Sequence, residues 1–199
     1  MATMNNKKSI LILSIIMIIL ESCKSWPSGA PEKTCPTLLP RHGGQPAKEA
    51  NESPYMLEQS NSQYRPGDQI LVVLKSPSNI PFKGLIVQAL DPETGKTIGK
   101  FSQGTGLKVI DSCSAVTHSD NRNKKAANLV WNAPLNIGNV NQGGLSGQVV
   151  FRGTVVRKYD TFFKGLISVV NPHVHHNNNT DQHIHHKHKN KNQSYKMQQ

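Results

Sequence analysis

Residues 64–90 read YRPGDQILVVLKSPSNIPFKGLIVQAL and contain the strongest secondary-structure signal of the chain. Two apolar runs, residues 69–74 and 82–90, are rich in Ile, Val and Leu and are bounded by Pro, Gly, Asn and Ser. Short runs with such flanks predict β-strands rather than helices. Pro66 and Gly67 predict a turn before the first run, and residues 91–95 predict a turn after the second. The stretch therefore predicts two neighbouring core strands of an all-β domain.

The remaining chain repeats this pattern of short runs separated by turn residues. No window of twelve residues shows a clean helical period, so the pattern predicts an all-β sandwich of seven or eight strands. Residues 26–63 are rich in Pro, Gly, Ser and Asn and predict an irregular N-terminal lead-in. The further strand candidates are residues 96–101, 107–110, 115–118, 127–131, 147–157 and 162–170.

The N-terminus has the pattern of a secretory signal peptide. Lys7 and Lys8 precede an apolar run over residues 10–20, and small residues follow at Cys23 and Ser25. A membrane anchor is disfavoured because an eleven-residue helix rises only about 16 Å, roughly half of the hydrocarbon core. A bacterial lipobox ending at Cys23 is the remaining alternative. We therefore expect residues 1–25 to be cleaved, no later membrane span, and a secreted, extracellular protein with a domain over residues 26–170.

Two cysteines, Cys35 and Cys113, remain after removal of the signal peptide. An even number of cysteines in an oxidising compartment favours a disulfide, and the alternative is two free thiols.

The formal net charge of the chain is +11, of which residues 26–170 carry +6. A basic secreted domain favours acidic partners, namely sulfated glycans, anionic lipid or microbial polymers such as lipopolysaccharide, although many basic proteins have no specific partner. Nucleic acid is disfavoured because aromatic residues are not interleaved with the basic ones. The candidate residues for an anionic-ligand surface are Arg122, Lys124, Lys125, Arg152, Arg157 and Lys158.

Residues 171–199 form a tail rich in His and Asn that is predicted to be disordered. Its imidazoles suit Zn or Cu, although a solvated low-complexity tail is the alternative and no cofactor is required. The candidate metal ligands are His173, His175, His176, His183, His185, His186 and His188. The glycosylation sequons predict modification at Asn51, Asn178 and Asn192.

No arrangement of catalytic residues is evident, and we expect a non-enzymatic protein. His118 lies near Asp111 and Ser112 in sequence, but the Gly-x-Ser-x-Gly elbow of a serine hydrolase is absent. We interpret His118 as a hydrogen-bonded structural residue at a strand end. Trp131 is interpreted as a core aromatic, with a sugar-stacking platform as the alternative.

An ordered set of short motifs resembles the reelin N-terminal (reeler) domain family, in particular the short secreted insect defense proteins. The similarity covers about residues 30–170, and no single motif is specific. The motifs are Cys35, Pro40-x-His42-Gly43, Ser53-Pro54-Tyr55, Tyr64-x-Pro66-Gly67, Phe82-Lys83-Gly84, Cys113-x-x-Val116-Thr117-His118, Lys125, Trp131-x-Ala133-Pro134 and Gly147-x-Val149-x-Phe151.

The resemblance implies an immunoglobulin-like β-sandwich and a disulfide between Cys35 and Cys113. It also implies a role in innate immunity through binding of microbial surfaces. Two features depart from the family pattern: Phe162-Phe163 stands where Phe-Trp is frequent, and the His-rich tail has no counterpart. The alternatives to a defense protein are an extracellular-matrix or glycan-binding adhesion module, and metal sequestration through the tail.

Overall fold

The computed structural model describes residues 26–40, 46–135 and 147–174. These residues form twelve β-strands and three 3₁₀ turns, the turns being Glu32–Thr34, Ala50–Glu52 and Asp111–Cys113. The strands are β1 (Met56–Gln59), β2 (Gln63–Tyr64), β3 (Gln69–Lys75), β4 (Gly84–Leu90), β5 (Lys100–Phe101), β6 (Leu107–Ile110), β7 (Ala115–His118), β8 (Ala126–Asn132), β9 (Gly147–Gln148), β10 (Val150–Lys158), β11 (Thr161–Ile167) and β12 (Val169–Val170).

Two five-stranded sheets form the domain. The first sheet has the order β12-β1-β3-β8-β5 and the second has the order β11-β10-β4-β7-β6, while β2 and β9 form a small separate ribbon. All pairs are antiparallel except β1 with β12. The predicted all-β, immunoglobulin-like sandwich is confirmed, but the described residues form twelve strands rather than seven or eight, because four strands have only two residues each.

The lead-in prediction was wrong over one segment, because β1 lies inside residues 26–63. This strand pairs with β3 in the middle of the first sheet and with β12 on its other side. Its sequence, Met-Leu-Glu-Gln, is not apolar, yet Glu58 and Gln59 are buried. The Gln59 amide donates to the Val149 carbonyl, and the Glu58 carboxylate pairs with Lys75 at 2.8 Å. Contacts from distant strands, rather than local hydrophobicity, therefore stabilise β1.

Two of the predicted strands are each divided in the structure. Residues 147–157 separate into β9 and β10, because Gly147 and Gln148 pair with β2 instead of continuing the second sheet. Residues 162–170 separate into β11 and β12, and the chain passes from the second sheet to the first at Ser168. The Ser168 hydroxyl accepts from the Phe151 backbone N–H at 2.9 Å and also contacts the Gln59 side chain, which fixes this crossing.

Aromatic side chains fill the space between the two sheets. Trp131 has no exposed surface, its ring contacts Tyr64 and Phe151 edge-on, and its indole N–H donates to the Ile98 carbonyl at 3.0 Å. The interpretation of Trp131 as a core aromatic is confirmed, and the alternative of a sugar-stacking platform is wrong. A buried ring whose N–H is already bonded offers no face to a ligand.

Strand β4 is buried on both of its faces, which explains its unbroken apolar sequence. Leu85 and Val87 face the sandwich interior, whereas Ile86 belongs to a second apolar cluster on the outer face. Residues 26–40, which we call the lead-in from here on, cover this outer face, and a disulfide joins Cys35 to Cys113, the pairing that the resemblance implies. The lead-in is thus a third layer of the fold over part of the second sheet.

The folded part extends four residues beyond the predicted boundary at Val170. The Asn171 backbone N–H donates to the Gln59 carbonyl at 2.8 Å, and Val174 is buried. The predicted signal peptide and residues 175–199 of the predicted tail lie outside the described residues, and with them Asn178, Asn192, His175, His176, His183, His185, His186 and His188. Within residues 26–40, 46–135 and 147–174 there is no helix with the length and apolarity that crossing a bilayer requires.

Candidate ligand pocket and basic rim

A pocket of about 200 Å³ lies between the lead-in and the outer face of the second sheet. Its buried walls come from both layers, with Thr34 and Leu38 on the lead-in and Ile86 and Thr154 on the sheet. The other lining residues include Trp26, Pro27, Ala30, Leu39, Pro40, Gly84, Leu85, His118 and Val156. Five lining residues are exposed: Pro27, Lys83, Asn121, Lys158 and Tyr159.

Strand periodicity explains how the sheet contributes to the pocket. Successive side chains of a strand point to opposite faces, so Thr154, Val156 and Lys158 of β10 point outward together. Gly84 lies opposite Val156 on β4. A Cβ at Gly84 would lie 3.0 Å from the His118 ring and 3.3 Å from the Val156 Cβ. The absence of a side chain at Gly84 therefore keeps the floor of the pocket open.

Backbone and disulfide contacts hold the lead-in in place above the sheet. The Ala30 backbone N–H donates to the Thr117 hydroxyl at 3.0 Å. Further along the lead-in, Cys35 packs with Leu38 in the outer apolar cluster and is bonded to Cys113. The wall is thus attached at one point to β7 and at another to the 3₁₀ turn that precedes β7, which makes the pocket a feature of the folded domain.

His118 connects the lead-in to the sheet at the edge of the pocket. Its Nδ1 lies 3.2 Å from the Leu85 backbone N–H, and its Nε2 lies 3.3 Å from the Trp26 carbonyl. A neutral ring with Nδ1 accepting and Nε2–H donating satisfies both contacts. Burial lowers the pKa of His118, and the Leu85 and Trp26 carbonyls partly offset this effect. The interpretation of His118 as a hydrogen-bonded structural residue is confirmed.

Two lysines form what we call the basic rim, Lys83 and Lys158. The Lys83 backbone N–H donates to the Val156 carbonyl at 2.9 Å, so the β4–β10 pairing brings the two lysines to the same end of the sheet. Lys158 forms an exposed ion pair with Asp160 at 3.3 Å. Among the described residues Lys83 forms no ion pair. An exposed pair such as Lys158–Asp160 contributes little free energy, so an incoming anion can replace Asp160 at low cost.

The basic loop that precedes β8 is organised around Asp120. Arg122 and Lys124 contact the Asp120 carboxylate at 2.8 and 2.9 Å, and these hydrogen bonds hold the pKa of Asp120 well below its usual range. The Lys124 ammonium also donates to the carbonyls of Lys83, Asp120 and Arg122 and is largely shielded from solvent. Lys124 is therefore occupied in holding the loop, whereas Lys125 is exposed.

The three basic candidates on β10 lie in three different environments. Arg152 donates two hydrogen bonds to the Gln88 side-chain oxygen, at 2.9 and 2.8 Å, and is half-buried on the outer face. Arg157 and Lys158 are both exposed, and the β10–β11 register shifts between Val156 and Lys158. Burial raises the pKa of Tyr55, and the charge of Arg157 partly offsets this effect. Of the predicted surface, only Lys158 lines the pocket.

Neither Lys83 nor the lead-in was among the site residues predicted from the sequence. A signal for the lead-in was present, because the run over residues 82–90 does not alternate between apolar and polar residues. Such a run indicates burial on both faces, and hence a covering layer outside the second sheet. No comparable signal marked Lys83, since it stands in a turn 75 positions before its neighbour Lys158.

Of the predicted metal ligands and glycosylation sites, one each lies within the described residues. His173 and Asn51 are both exposed. The described part of the chain contains no group of three or more His, Cys, Asp or Glu residues placed to hold a metal ion. Metal binding by the tail and glycosylation both stay predictions.

The sandwich, its covering lead-in and the Cys35–Cys113 bond agree with a match to a family model described as "Reeler domain", over residues 33–182. The chain belongs to the reeler domain family. The described reeler domain therefore includes the pocket, since most of the lining residues fall in the matched range.

Relatives of this reeler domain fall into two groups. One group includes a Bombyx mori protein named "Putative defense protein". It is 28% identical to this chain over 171 residues, which cover 79% of this chain and 92% of the relative. The other includes Ferric-chelate reductase 1 of Bos taurus, 29% identical over 157 residues, which cover 75% of this chain and 24% of the relative. The chain thus spans about a quarter of the length of the reductases that it matches.

Among solved structures, the human F-spondin reeler domain (fragment 1) is similar, with 20% identity and a TM-score of 0.47 over 67% of this chain and 91% of that one. The reeler family and the defense-protein relatives support an extracellular or defense-like role for this chain. The same family match and defense-protein relatives favour a non-enzymatic role.

Proposed function

We propose that this protein is a secreted, non-enzymatic defense protein that binds anionic molecules of microbial surfaces at the basic rim. The observation that carries the proposal is the placement of Lys83 and Lys158 together at the mouth of the pocket. Ammonium groups bind phosphate and carboxylate as point charges, and both of these lysines are exposed. The similarity of most of the chain to insect defense proteins supports the same role.

The structure favours the basic rim over the other candidate residues. Lys124 is shielded by its contacts with the loop, Arg122 donates two side-chain hydrogen bonds to Asp120, and Arg152 donates two to Gln88, whereas Lys158 has a single exposed ion pair. An anion would have to displace these existing contacts before it could bind. Lys125 and Arg157 are exposed and add to the positive field around the rim.

The test is binding of lipopolysaccharide and heparin to the wild type and to Lys83→Glu/Lys158→Glu across a salt series. We expect a loss of at least about tenfold in affinity, equivalent to about 1.4 kcal/mol. Binding by the wild type should weaken with added salt, because screening shortens the field to about 8 Å at physiological ionic strength. The matched control is Lys100→Glu/Lys108→Glu, which makes the same charge change on exposed lysines of β5 and β6.

Equal losses in the two double variants would contradict the proposal, because the loss would then follow net charge rather than the basic rim. Binding of heparin with no binding of lipopolysaccharide would replace the defense role by the glycan-binding alternative.

A further inference from the structure

We infer that the pocket takes a single acyl chain of about six to eight carbons whose anionic head group lies at the basic rim. The inference rests on the proposed function, since it names the class of ligand that the same site would bind. It adds a requirement that the basic rim alone does not make, namely that the ligand has an apolar tail.

The size of the pocket fits a short chain. An apolar cavity of about 150 Å³ holds one benzene molecule, so a volume of about 200 Å³ accommodates about six to eight carbons. Pockets for drug-sized ligands are larger, about 300–1,000 Å³. A complete oligosaccharide or lipid therefore does not fit, whereas the end of one acyl chain does.

The chemistry of the walls also fits an acyl chain. Leu38, Ile86 and Val156 supply aliphatic surface from the two opposite layers. His118, the ring at the edge, already bonds to the backbone through both of its nitrogens. A sugar hydroxyl that faced Leu38, Ile86 or Val156 would lose its hydrogen bonds to water, at a cost of about 1–3 kcal/mol for each unpaired group.

The mouth of the pocket selects the head group. The floor residues Leu38 and Ile86 are about 4% exposed, while Lys158 has a side-chain exposure of 63% and Tyr159 is 44% exposed. The route from floor to solvent thus passes from aliphatic walls to two ammonium groups. This gradient complements a carboxylate or phosphate attached to an alkyl chain, and it disfavours a cationic amphiphile.

The test uses sodium octanoate as the probe, measured by calorimetry and by Trp26 fluorescence. Trp26 lines the pocket, whereas Trp131 is enclosed between the two sheets. Trp26→Phe should therefore abolish the change in fluorescence on octanoate binding but not the heat of binding measured by calorimetry. From pentanoate to heptanoate each added methylene should tighten binding about fourfold, the equivalent of one buried CH₂. Octylamine should not bind.

Two variants fill the pocket from opposite walls, Val156→Phe on the sheet and Ala30→Leu on the lead-in. Each should weaken octanoate binding more than tenfold and leave heparin binding unchanged. The control is Val130→Phe, a half-buried valine of the first sheet outside this pocket. Retention of octanoate affinity in both filling variants would overturn the inference, as would an absence of chain-length dependence in the wild type.

The arms of the experiment separate this inference from the proposed function. If octanoate does not bind while lipopolysaccharide binding still depends on Lys83 and Lys158, the acyl pocket is refuted and the proposed function stands. If octanoate binds but the charge-reversal variant retains its lipopolysaccharide affinity, the proposed function fails instead. A third arm uses anionic phospholipid vesicles. Sedimentation with vesicles that is lost in both filling variants, with no octanoate binding, would identify membrane docking and overturn the single-chain ligand.

Discussion

Removal of the Cys35–Cys113 disulfide should destabilise the whole domain and not only the lead-in. The two cysteines are 78 positions apart, and both are buried in the outer apolar cluster. In the chain-entropy description, a crosslink that closes a loop of this length stabilises the folded state by about 4.5 kcal/mol at 25 °C. Domains of this size have a total unfolding free energy of about 5–15 kcal/mol. The Cys35→Ala/Cys113→Ala variant should therefore retain its fold with a much smaller margin of stability.

The assay is urea denaturation of the wild type and the double variant, followed by circular dichroism. Amide hydrogen exchange gives a local measurement, because the Leu38 N–H donates to the Thr34 carbonyl at 2.7 Å within the lead-in. We expect the denaturation midpoint to fall and Leu38 to exchange faster than amides of β3. Wild type kept in a reducing agent is the control, and it should match the double variant in both measurements.

A loss of unfolding free energy below about 1 kcal/mol would refute the reasoning, because the crosslink would then contribute almost none of its chain entropy. Unchanged protection of Leu38 would show in addition that the lead-in is held without the disulfide. In that case the apolar cluster around Ile86 would be sufficient to form the wall of the pocket.

Three other predictions follow from particular contacts. Gly99→Ala should cost about 3 kcal/mol, because Gly99 has a φ of 61° and its new Cβ would lie 2.4 Å from the Trp131 ring. Gly95→Ala, with a φ of 68° and open space around it, should cost only about 1 kcal/mol in the same urea denaturation, and equal losses would refute the steric argument. Burial lowers the pKa of His118, so the unfolded chain binds a proton at this residue at higher pH than the folded chain does. The unfolding free energy should therefore decline as the pH falls below about 6.5 and level off below the pKa of the folded state. Denaturation series at several pH values should show a weaker pH dependence for His118→Asn. Truncation after Val174 should leave the melting temperature nearly unchanged and remove most Zn or Cu binding in calorimetry, whereas undiminished metal affinity would place the metal site elsewhere.

Local sequence was sufficient to predict the central strands and the class of fold. In β3 the side chains alternate between buried and more exposed positions, as the period of a half-buried strand requires, and Trp131 ends in the core. These features depend on residues close to one another in the chain, so a short window contains the information. The assignment of β1 failed for the opposite reason, since Glu58 and Gln59 are buried through partners in distant strands.

The pocket and its basic rim were decided only by tertiary structure. The sequence predicted that residues 82–90 contain a core strand, but it did not say which segment covers the outer face of β4. The Cys35–Cys113 bond and the packing of Leu38 on Ile86 assign that place to the lead-in. Similarly, the sequence determined that the chain is basic, whereas the register of β4 with β10 brings Lys83 and Lys158 to the same pocket. The structure also shows that Lys124 forms an ion pair with Asp120. Charge and apolarity are properties of single residues, but a binding site depends on distances between residues far apart in the chain, and only the folded pairing of strands determines those distances.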